Sequence, residues 1–239
     1  MYSFTSRVRY SECDGSLTMT VPAAMNYLQD CSMFHCEHIG HGLAYCDDHG
    51  FAWLVAAWQI RFNRLPAYTE DIRMRTWCNE MSNTLAKRSY TIEDLDGTRL
   101  VEAESLCVTV STSTGRAMRI PEGEAGAFVS EGVSLGLPPI KRKLRIQGPH
   151  EHAFDLPVTE HLIDSNGHVN NVRYVSVAEE AVRMRDPDFE LGRLLVQYKV
   201  AAHLGDTLRV MLCHEETGYA VELGDDAGTS FAVVRMERR

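Results

Sequence analysis

The residue types best suited to chemistry lie between Asp164 and Tyr174, in the run Asp-Ser-Asn-Gly-His-Val-Asn-Asn-Val-Arg-Tyr. A carboxylate, an amide and an imidazole occur at alternate positions, Asp164, Asn166 and His168, just before a predicted helix. Backbone N–H groups at a helix start have no partner within the helix, so such a turn places polar side chains beside free donors. This combination suits attack on a carbonyl group whose oxygen must carry negative charge.

The same residue types are also common in turns without a catalytic role. Asn, Gly and Asp favour turn conformations and helix caps, and an isolated histidine is most often structural. Residue types alone therefore favour a structural turn, and further features of the chain are needed to support a catalytic one.

The pattern Asn-x-His-Val-Asn-Asn-Val-x-Tyr, which begins at Asn166, resembles the signature of the fatty acyl–acyl carrier protein thioesterases. The resemblance extends over nearly the whole chain. It implies two tandem hotdog domains, thioester hydrolysis, and catalytic roles for Asn166 and His168 with Asp164 as their acidic companion. Asn166 and a backbone N–H of the following helix are predicted to hold the thioester oxygen. We expect no metal ion and no other cofactor.

The resemblance fails at one position that matters for the mechanism. The plant-type members carry an adjacent Glu-Cys pair on a later strand, and the corresponding residues here are Ala201 and Ala202. Because alanine cannot transfer a proton, three explanations stay open: Asp164 is the base alone, His203 replaces the missing pair, or the chain has little activity. Whether Asp164 or His168 activates the water is also open.

The first half of the chain contains a similar loop without the full set of residues. Residues 8–15 resemble the equivalent loop of single-hotdog acyl-CoA thioesterases, but no histidine follows Asp14 at the spacing of His168 after Asp164. We therefore expect one active site per chain, with Asp14 as a turn residue. In the family, the first domain is associated with binding of the acyl chain. The predicted apolar residues of that pocket are Met25, Leu28, Trp53, Val55 and Trp58.

Hydrophobic periodicity predicts a helix followed by strands in the first half. Thr20 is a suitable N-cap for a helix over residues 21–39, which Gly40 would end. Alternating and apolar runs predict the strands that follow, at residues 51–62, 72–78, 89–92 and 100–110.

The second half repeats this order of elements. A helix is predicted over residues 171–184, ending before Asp186-Pro187, and strands are predicted over 194–200 and 206–213. The last of these strands matches residues 71–78 in pattern and position. The turn at 227–229 also matches the turn at 96–98. A repeated order of elements is harder to produce by chance than a single motif.

This order predicts an α+β fold of two tandem hotdog domains, each a long helix wrapped by an antiparallel β-sheet. The predicted N-terminal domain, for acyl-chain binding, covers residues 1–127, and the predicted catalytic domain covers 150–239. Residues 128–149 are rich in Gly and Pro and predict a flexible or partly extended linker. Because one hotdog sheet leaves half of its core open, we expect an intrachain pseudo-dimer; a homodimer of whole chains stays open.

Composition argues against several classes of protein. A net charge of −9 over 239 residues does not fit general nucleic-acid binding, which needs a basic face. No apolar run approaches the roughly 18 residues of a membrane span, and residues 1–5 show no secretory pattern. The seven cysteines contain no C-x-x-C pair, which favours reduced thiols. We expect a soluble, cytoplasmic protein without membrane insertion.

A basic run, Lys141-Arg142-Lys143-Leu144-Arg145, lies in the predicted linker. Together with Arg173 and Lys199, it could receive an acidic carrier protein through salt-sensitive contacts, or it could be a solvated linker. The leading expectation is hydrolysis of fatty acyl–acyl carrier protein to free fatty acid. Two alternatives stay open: a hotdog thioesterase for acyl-CoA or aromatic acyl-CoA, and a non-catalytic acyl-binding hotdog protein. Acyl-chain length and the choice between carrier protein and coenzyme A are not determined by the sequence.

Overall fold

The computed structural model describes residues 1–128 and 133–239, which form two compact units, Met1–Ile140 and Lys141–Arg239. The predicted linker, residues 128–149, is thereby shared between the two units. The predicted domain borders and the intrachain pseudo-dimer stay predictions. Among the described residues, no helix combines the length and apolar character needed to cross a membrane.

The first unit is a helix packed on an antiparallel sheet. Its strands lie in the order β1-β3-β4-β5-β2, with the short β6 paired to β5. The long helix α1 packs against β1, β3 and β4. The elements are β1 (Tyr2–Arg7), a 3-10 turn (Tyr10–Glu12), α1 (Val21–His38), α2 (Leu43–Asp48), β2 (Phe51–Phe62), β3 (Asp71–Met81), β4 (Ala86–Asp94), β5 (Arg99–Ser111), β6 (Ala117–Met118) and α3 (Glu124–Ala127).

Local sequence signals account for the start and end of α1. The side-chain oxygen of Thr20 accepts a hydrogen bond of 3.2 Å from the N–H of Ala23, as an N-cap should. Gly40 follows the helix with φ +77°, a conformation that favours glycine. The predicted helix is confirmed, with its last residue at His38. One face of it is buried, including Met25 and Leu28.

The second unit repeats this architecture. Its strands lie in the order β8-β11-β10-β9-β7, all antiparallel, and α4 packs on β9, β10 and β11. The predicted helix is confirmed and extends one residue further, to Arg185. The elements are β7 (Glu151–Pro157), a 3-10 turn (Glu160–Leu162), α4 (Asn171–Arg185), β8 (Leu191–Tyr198), β9 (Thr207–Glu215), β10 (Gly218–Gly224) and β11 (Ser230–Arg238).

Strand register corrects the predicted match between the two halves by one residue. Arg7 at the end of β1 pairs with Asp71, and Pro157 at the end of β7 pairs with Thr207. Asp71 therefore corresponds to Thr207, and the predicted match to Asp206 was wrong. The similar residue types at the two strand starts were therefore misleading. The correction matters because a shift of one residue moves every side chain to the opposite face of the sheet.

Residues 133–149 of the predicted linker contain no helix or strand and pack on the units. In the first unit, the side-chain nitrogen of Gln59 donates a hydrogen bond of 2.6 Å to the carbonyl of Pro138. In the second unit, the N–H of Leu144 donates a bond of 2.8 Å to the side-chain oxygen of Gln197. Leu144 is buried against Leu195 and Val233. These contacts fix the path of segments whose composition indicated only a linker.

Candidate active site

The predicted catalytic turn is a closed loop between the 3-10 turn of the second unit and α4. The N–H of Asp164 donates to the carbonyl of His168 at 2.9 Å, and the N–H of Gly167 donates to the carbonyl of Asp164 at 3.0 Å. Gly167 has φ +76°, which a residue with a side chain adopts only at a cost. The loop brings the predicted residues Asp164, Asn166 and His168 together on one short, hydrogen-bonded segment.

The carboxylate of Asp164 is held by the turn itself. Its Oδ1 accepts a hydrogen bond of 2.8 Å from the N–H of Asn166, while its Oδ2 accepts none from the described residues. Burial raises the pKa of Tyr174, and the negative charges of Asp206 and Asp164 raise it further. The Asp164 carboxylate is therefore fixed near a buried tyrosine hydroxyl and keeps one oxygen for another partner.

The start of α4 supplies backbone donors beside this carboxylate. The side-chain oxygen of Asn170 accepts from the N–H of Val172 at 2.9 Å, and its carbonyl accepts from the N–H of Arg173 at 2.9 Å. The described residues offer no acceptor to the N–H of Asn171. This N–H is a donor of the kind that a developing oxyanion requires.

The segment that follows β8 is hydrogen-bonded to the predicted catalytic turn and to α4. The carbonyl of Ala202 accepts from the N–H of Val169 at 2.9 Å, and the N–H of Ala202 donates to the hydroxyl of Tyr174 at 3.0 Å. Ala201 is half-buried and Ala202 is fully buried. The segment that corresponds to the Glu-Cys pair of the plant-type members is thus hydrogen-bonded to the turn, but its two alanines supply no acid or base.

A second imidazole enters the site from this segment. The ring centroids of His168 and His203 are 5.0 Å apart, with an interplanar angle of 84°. The N–H of His203 donates to Oδ2 of Asp206 at 2.7 Å. His203 was considered from the sequence, and the structure brings it to the predicted catalytic histidine.

Sequence reasoning missed two polar roles in this region. The sequence places Tyr174 in the predicted helix over residues 171–184 and Asp206 in the predicted strand over 206–213. Both hold the segment after β8, through the hydrogen bonds to Ala202 and His203. The only local signal was the position of Tyr174 at the end of the motif.

The predicted substrate-binding residues lie in both units. Arg173 lies in the first turn of α4 with an exposed side chain. Met25, Leu28 and Trp58 are buried core residues of the first unit, with exposed fractions of 2%, 0% and 2%. Trp53 and Val55 are half-buried on β2. Their assignment to an acyl-chain pocket stays a prediction.

A surface cavity of about 630 Å³ lies elsewhere on the second unit and contains none of these residues. Its lining includes His150, Arg185, His214 and Tyr219. Within residues 1–128 and 133–239, no group of three or more His, Cys, Asp or Glu side chains has the arrangement of a metal site.

Two family models together match most of the chain. The acyl-ACP thioesterase N-terminal domain matches residues 1–125, and the acyl-ACP thioesterase C-terminal domain matches residues 149–231. The fold and the turn define a protein of two tandem hotdog domains. The chain belongs to the acyl-ACP thioesterase family.

Named relatives agree with this family. Dodecanoyl-[acyl-carrier-protein] hydrolase of Cinnamomum camphora is 25% identical over 190 residues, which cover 74% of this chain and 50% of that protein. Palmitoyl-acyl carrier protein thioesterase of Gossypium hirsutum is 24% identical, covering 83% of this chain and 51% of that protein. The chain spans about half the length of the curated relatives it matches.

Solved structures show the same fold. An acyl-ACP thioesterase from Bacteroides thetaiotaomicron superposes with a TM-score of 0.88 at 19% identity, covering 99% of this chain and 97% of that one. The 12:0-ACP thioesterase from Umbellularia californica superposes with a TM-score of 0.87 at 22% identity, covering 100% and 96%. At these identities the likeness extends to the fold alone.

Proposed function

We propose that this chain hydrolyses the thioester of fatty acyl–acyl carrier protein and releases a free fatty acid. The observation that carries the proposal is the intact turn of Asp164, Asn166 and His168 in a member of the acyl-ACP thioesterase family. The experiment that tests it is the release of free thiol from acyl carrier protein and coenzyme A donors of graded chain length. Failure to release thiol from any donor would contradict the proposal.

In the proposed reaction, water attacks the thioester carbonyl and the carbon–sulfur bond then breaks. Asp164 takes a proton from the water, a role supported by its oxygen that has no described partner. The amide of Asn166 and the N–H of Asn171 stabilise the negative oxygen of the tetrahedral intermediate. His168 donates a proton to the departing sulfur, and the proton that Asp164 took from the water returns to His168 through the solvent, so that the products are a carboxylic acid and a thiol.

The alanines at the expected Glu-Cys positions favour a second candidate function. If hydrolysis requires the acid and base that Ala201 and Ala202 do not supply, the chain is an acyl-binding hotdog protein that does not hydrolyse its ligand. Measurable acyl-chain binding combined with inactivity on every thioester would support this candidate. Hydrolysis of acyl-CoA or aromatic acyl-CoA in preference to the carrier-protein donor would instead support the related hydrolase.

The basic strap, residues 141–145, is the proposed docking surface for the acidic carrier protein. Its four cations are exposed, and none forms an ion pair with a described acidic residue. The buried side chain of Leu144 and a hydrogen bond of 2.9 Å from Arg235 to the carbonyl of Arg145 hold the strap on the second unit. An array of cations on fixed backbone, in a chain of net charge −9, suits an acidic partner. The cations are Lys141, Arg142, Lys143 and Arg145.

Neutralising these four side chains tests the docking surface. At low salt, we expect a lower kcat/KM for acyl–acyl carrier protein and unchanged turnover of a short uncharged thioester, because the cations act only on encounter. Equal loss on both substrates would indicate damaged folding, and no loss on either would contradict docking. A cytoplasmic location stays an expectation, and a homodimer of whole chains stays open.

A further inference from the structure

The histidine of the proposed reaction has an aromatic neighbour from a distant part of the chain. The rings of His168 and His203 meet edge to face, with centroids 5.0 Å apart and planes at 84°. This is a favoured arrangement for two rings, because the edge of one ring meets the electron-rich face of the other. The fold, and not the local sequence, creates this contact.

His203 is carried by an anchored backbone. Its N–H is bound to Asp206 at 2.7 Å, and the preceding Ala202 is bound on one side to Tyr174 and on the other to Val169. Val169 directly follows His168. The segment that carries one ring is therefore hydrogen-bonded to the residue beside the other ring, which limits how far the two rings can separate.

No described residue forms a hydrogen bond with the ring of His168. An acid–base histidine needs a fixed ring orientation, which a hydrogen bond to its second nitrogen often supplies. Within the described chain, the ring of His203 is the contact that can fix the orientation of the His168 ring. The orientation of the His168 imidazole thus depends on packing.

The first unit shows that the fold does not require this pair. Thr18 and Ala67 form an isolated backbone bridge at the equivalent positions. The corresponding turn and strand end of the second unit carry the two imidazoles. The pair belongs to the domain with the candidate site.

We propose that His203 is a positioning residue that holds the imidazole of His168 in the orientation needed to protonate the departing sulfur. The proton moves from His168 to the sulfur, and His203 exchanges none. This inference rests on the proposed hydrolysis. It also explains how a chain with Ala201 and Ala202 can keep a working histidine without the Glu-Cys pair.

Two substitutions of His203 test the proposal against direct proton transfer. His203→Ala removes the ring, and we expect kcat to fall by about 10- to 100-fold with little change in KM, because a misplaced group lowers the rate of the chemical step. His203→Phe keeps an aromatic edge and face without a titratable group. We expect it to restore most of the lost kcat and to keep the wild-type pH–rate profile. The matched control is His161→Ala, which removes an exposed imidazole from the 3-10 turn preceding the loop.

Two results would overturn the positioning role: wild-type kcat in His203→Ala, or equal losses in the Ala and Phe variants. The second result would indicate that His203 transfers a proton itself. Ring-current shifts of the His168 resonances provide a readout independent of activity, and we expect them to be lost in His203→Ala and kept in His203→Phe. A wild-type chain that hydrolyses no thioester but shows this pattern would overturn the proposed function while supporting the positioning contact.

Discussion

The two hotdog domains contain the same turn at the start of their long helices. In the first domain, the N–H of Asp14 donates to the carbonyl of Thr18 at 2.9 Å. In the second, the N–H of Asp164 donates to the carbonyl of His168 at the same distance. The backbone of the turn is therefore a property of the fold. Its chemistry depends on which side chains occupy it.

The carboxylates of Asp14 and Asp164 accept different sets of hydrogen bonds. Oδ1 of Asp14 accepts from the N–H and the hydroxyl of Ser16 at 2.9 and 2.7 Å, and from the N–H of Thr18 at 3.1 Å. In the second domain, Asn166 replaces the serine and donates to the acid only through its N–H. Asp14 thus stabilises its own turn, while Asp164 keeps capacity for a substrate or a water molecule.

The loops that are hydrogen-bonded to the two turns differ in the same way. The N–H of Ala67 donates to Glu70 at 3.0 Å, and the N–H of His203 donates to Asp206 at 2.7 Å. The anchoring bond is shared, but only the second domain places an imidazole there. One scaffold thus holds both turns, and a few side chains separate a structural turn from a candidate site.

The largest expected effect comes from removing the charge of Asp164. We expect Asp164→Asn to lower hydrolysis by about 10⁴-fold, because the amide keeps hydrogen bonding but cannot take a proton. Asp14→Asn is the matched control and should leave kcat unchanged in the same thiol-release assay. We also expect the wild-type chain to hydrolyse the thioester without a carboxylate restored by Ala201→Glu. An active Asp164→Asn variant would remove the proposed distinction between the two acids and indicate His168 or His203 as the base.

A smaller loss is expected from the other two residues of the turn. We expect Asn166→Ala and His168→Ala each to lower kcat by about 10²- to 10³-fold, since each removes one oxyanion donor or one proton donor. Circular dichroism should show an unchanged fold. The control variants, Ser16→Ala and Thr18→Ala, alter the equivalent positions of the first domain and should leave kcat at the wild-type value. Near wild-type rates in the second-domain variants would contradict the assignment.

One buried group in each domain should make a pH-dependent contribution to stability, and the two contributions have opposite signs. Burial and the charge of Arg88 lower the pKa of His35 to about 3, so the unfolded state binds the extra proton between that value and about 6.5. His35 should thereby lower the stability of the first domain by about 2 kcal/mol between pH 7 and pH 5. Burial raises the pKa of Glu179 to about 7, so this carboxyl group should lower the stability of the second domain as pH rises from about 4.5 to about 7.

Denaturant unfolding of His35→Gln and Glu179→Gln across pH 5 to 8 measures these contributions. We expect the first variant to lose less stability than the wild type on acidification. We expect the second to be more stable than the wild type at pH 8, by on the order of 2 kcal/mol. If the free energy of unfolding of both variants changes with pH as that of the wild type does, the assignment of these two groups is wrong.

The smallest effect concerns the backbone of the two turns. Leu17 adopts φ +61° where the second domain has Gly167 at φ +76°. A Cβ at Gly167 would meet no heavy atom within 4 Å, so its cost is conformational. We expect Gly167→Ala to lower the free energy of unfolding by about 1 kcal/mol and Leu17→Gly to lower it less or raise it. An equal loss in both variants would mean that the two turns tolerate left-handed backbone alike.

Local signals in the sequence predicted the long elements well. Thr20 and Gly40 mark the ends of α1, and an apolar run of strand-forming residues marks β2 with both of its ends correct. The motif beginning at Asn166 predicted the position of the candidate turn. These features were predictable because caps, periodicity and turns depend on neighbours within a few residues.

Only the tertiary structure decided which distant groups meet. The edge strands β1 and β7 escaped notice, and the one-residue error between Asp71 and Asp206 arose because register is determined by the partner strand. The hydroxyl of Tyr174 and the ring of His203 acquire their roles through contacts with residues far away in sequence. The sequence by itself determined the two long helices, several of the strands and the position of the candidate turn. The surroundings of that turn required the packed chain, because hydrogen bonds and ring contacts between distant segments leave no local pattern.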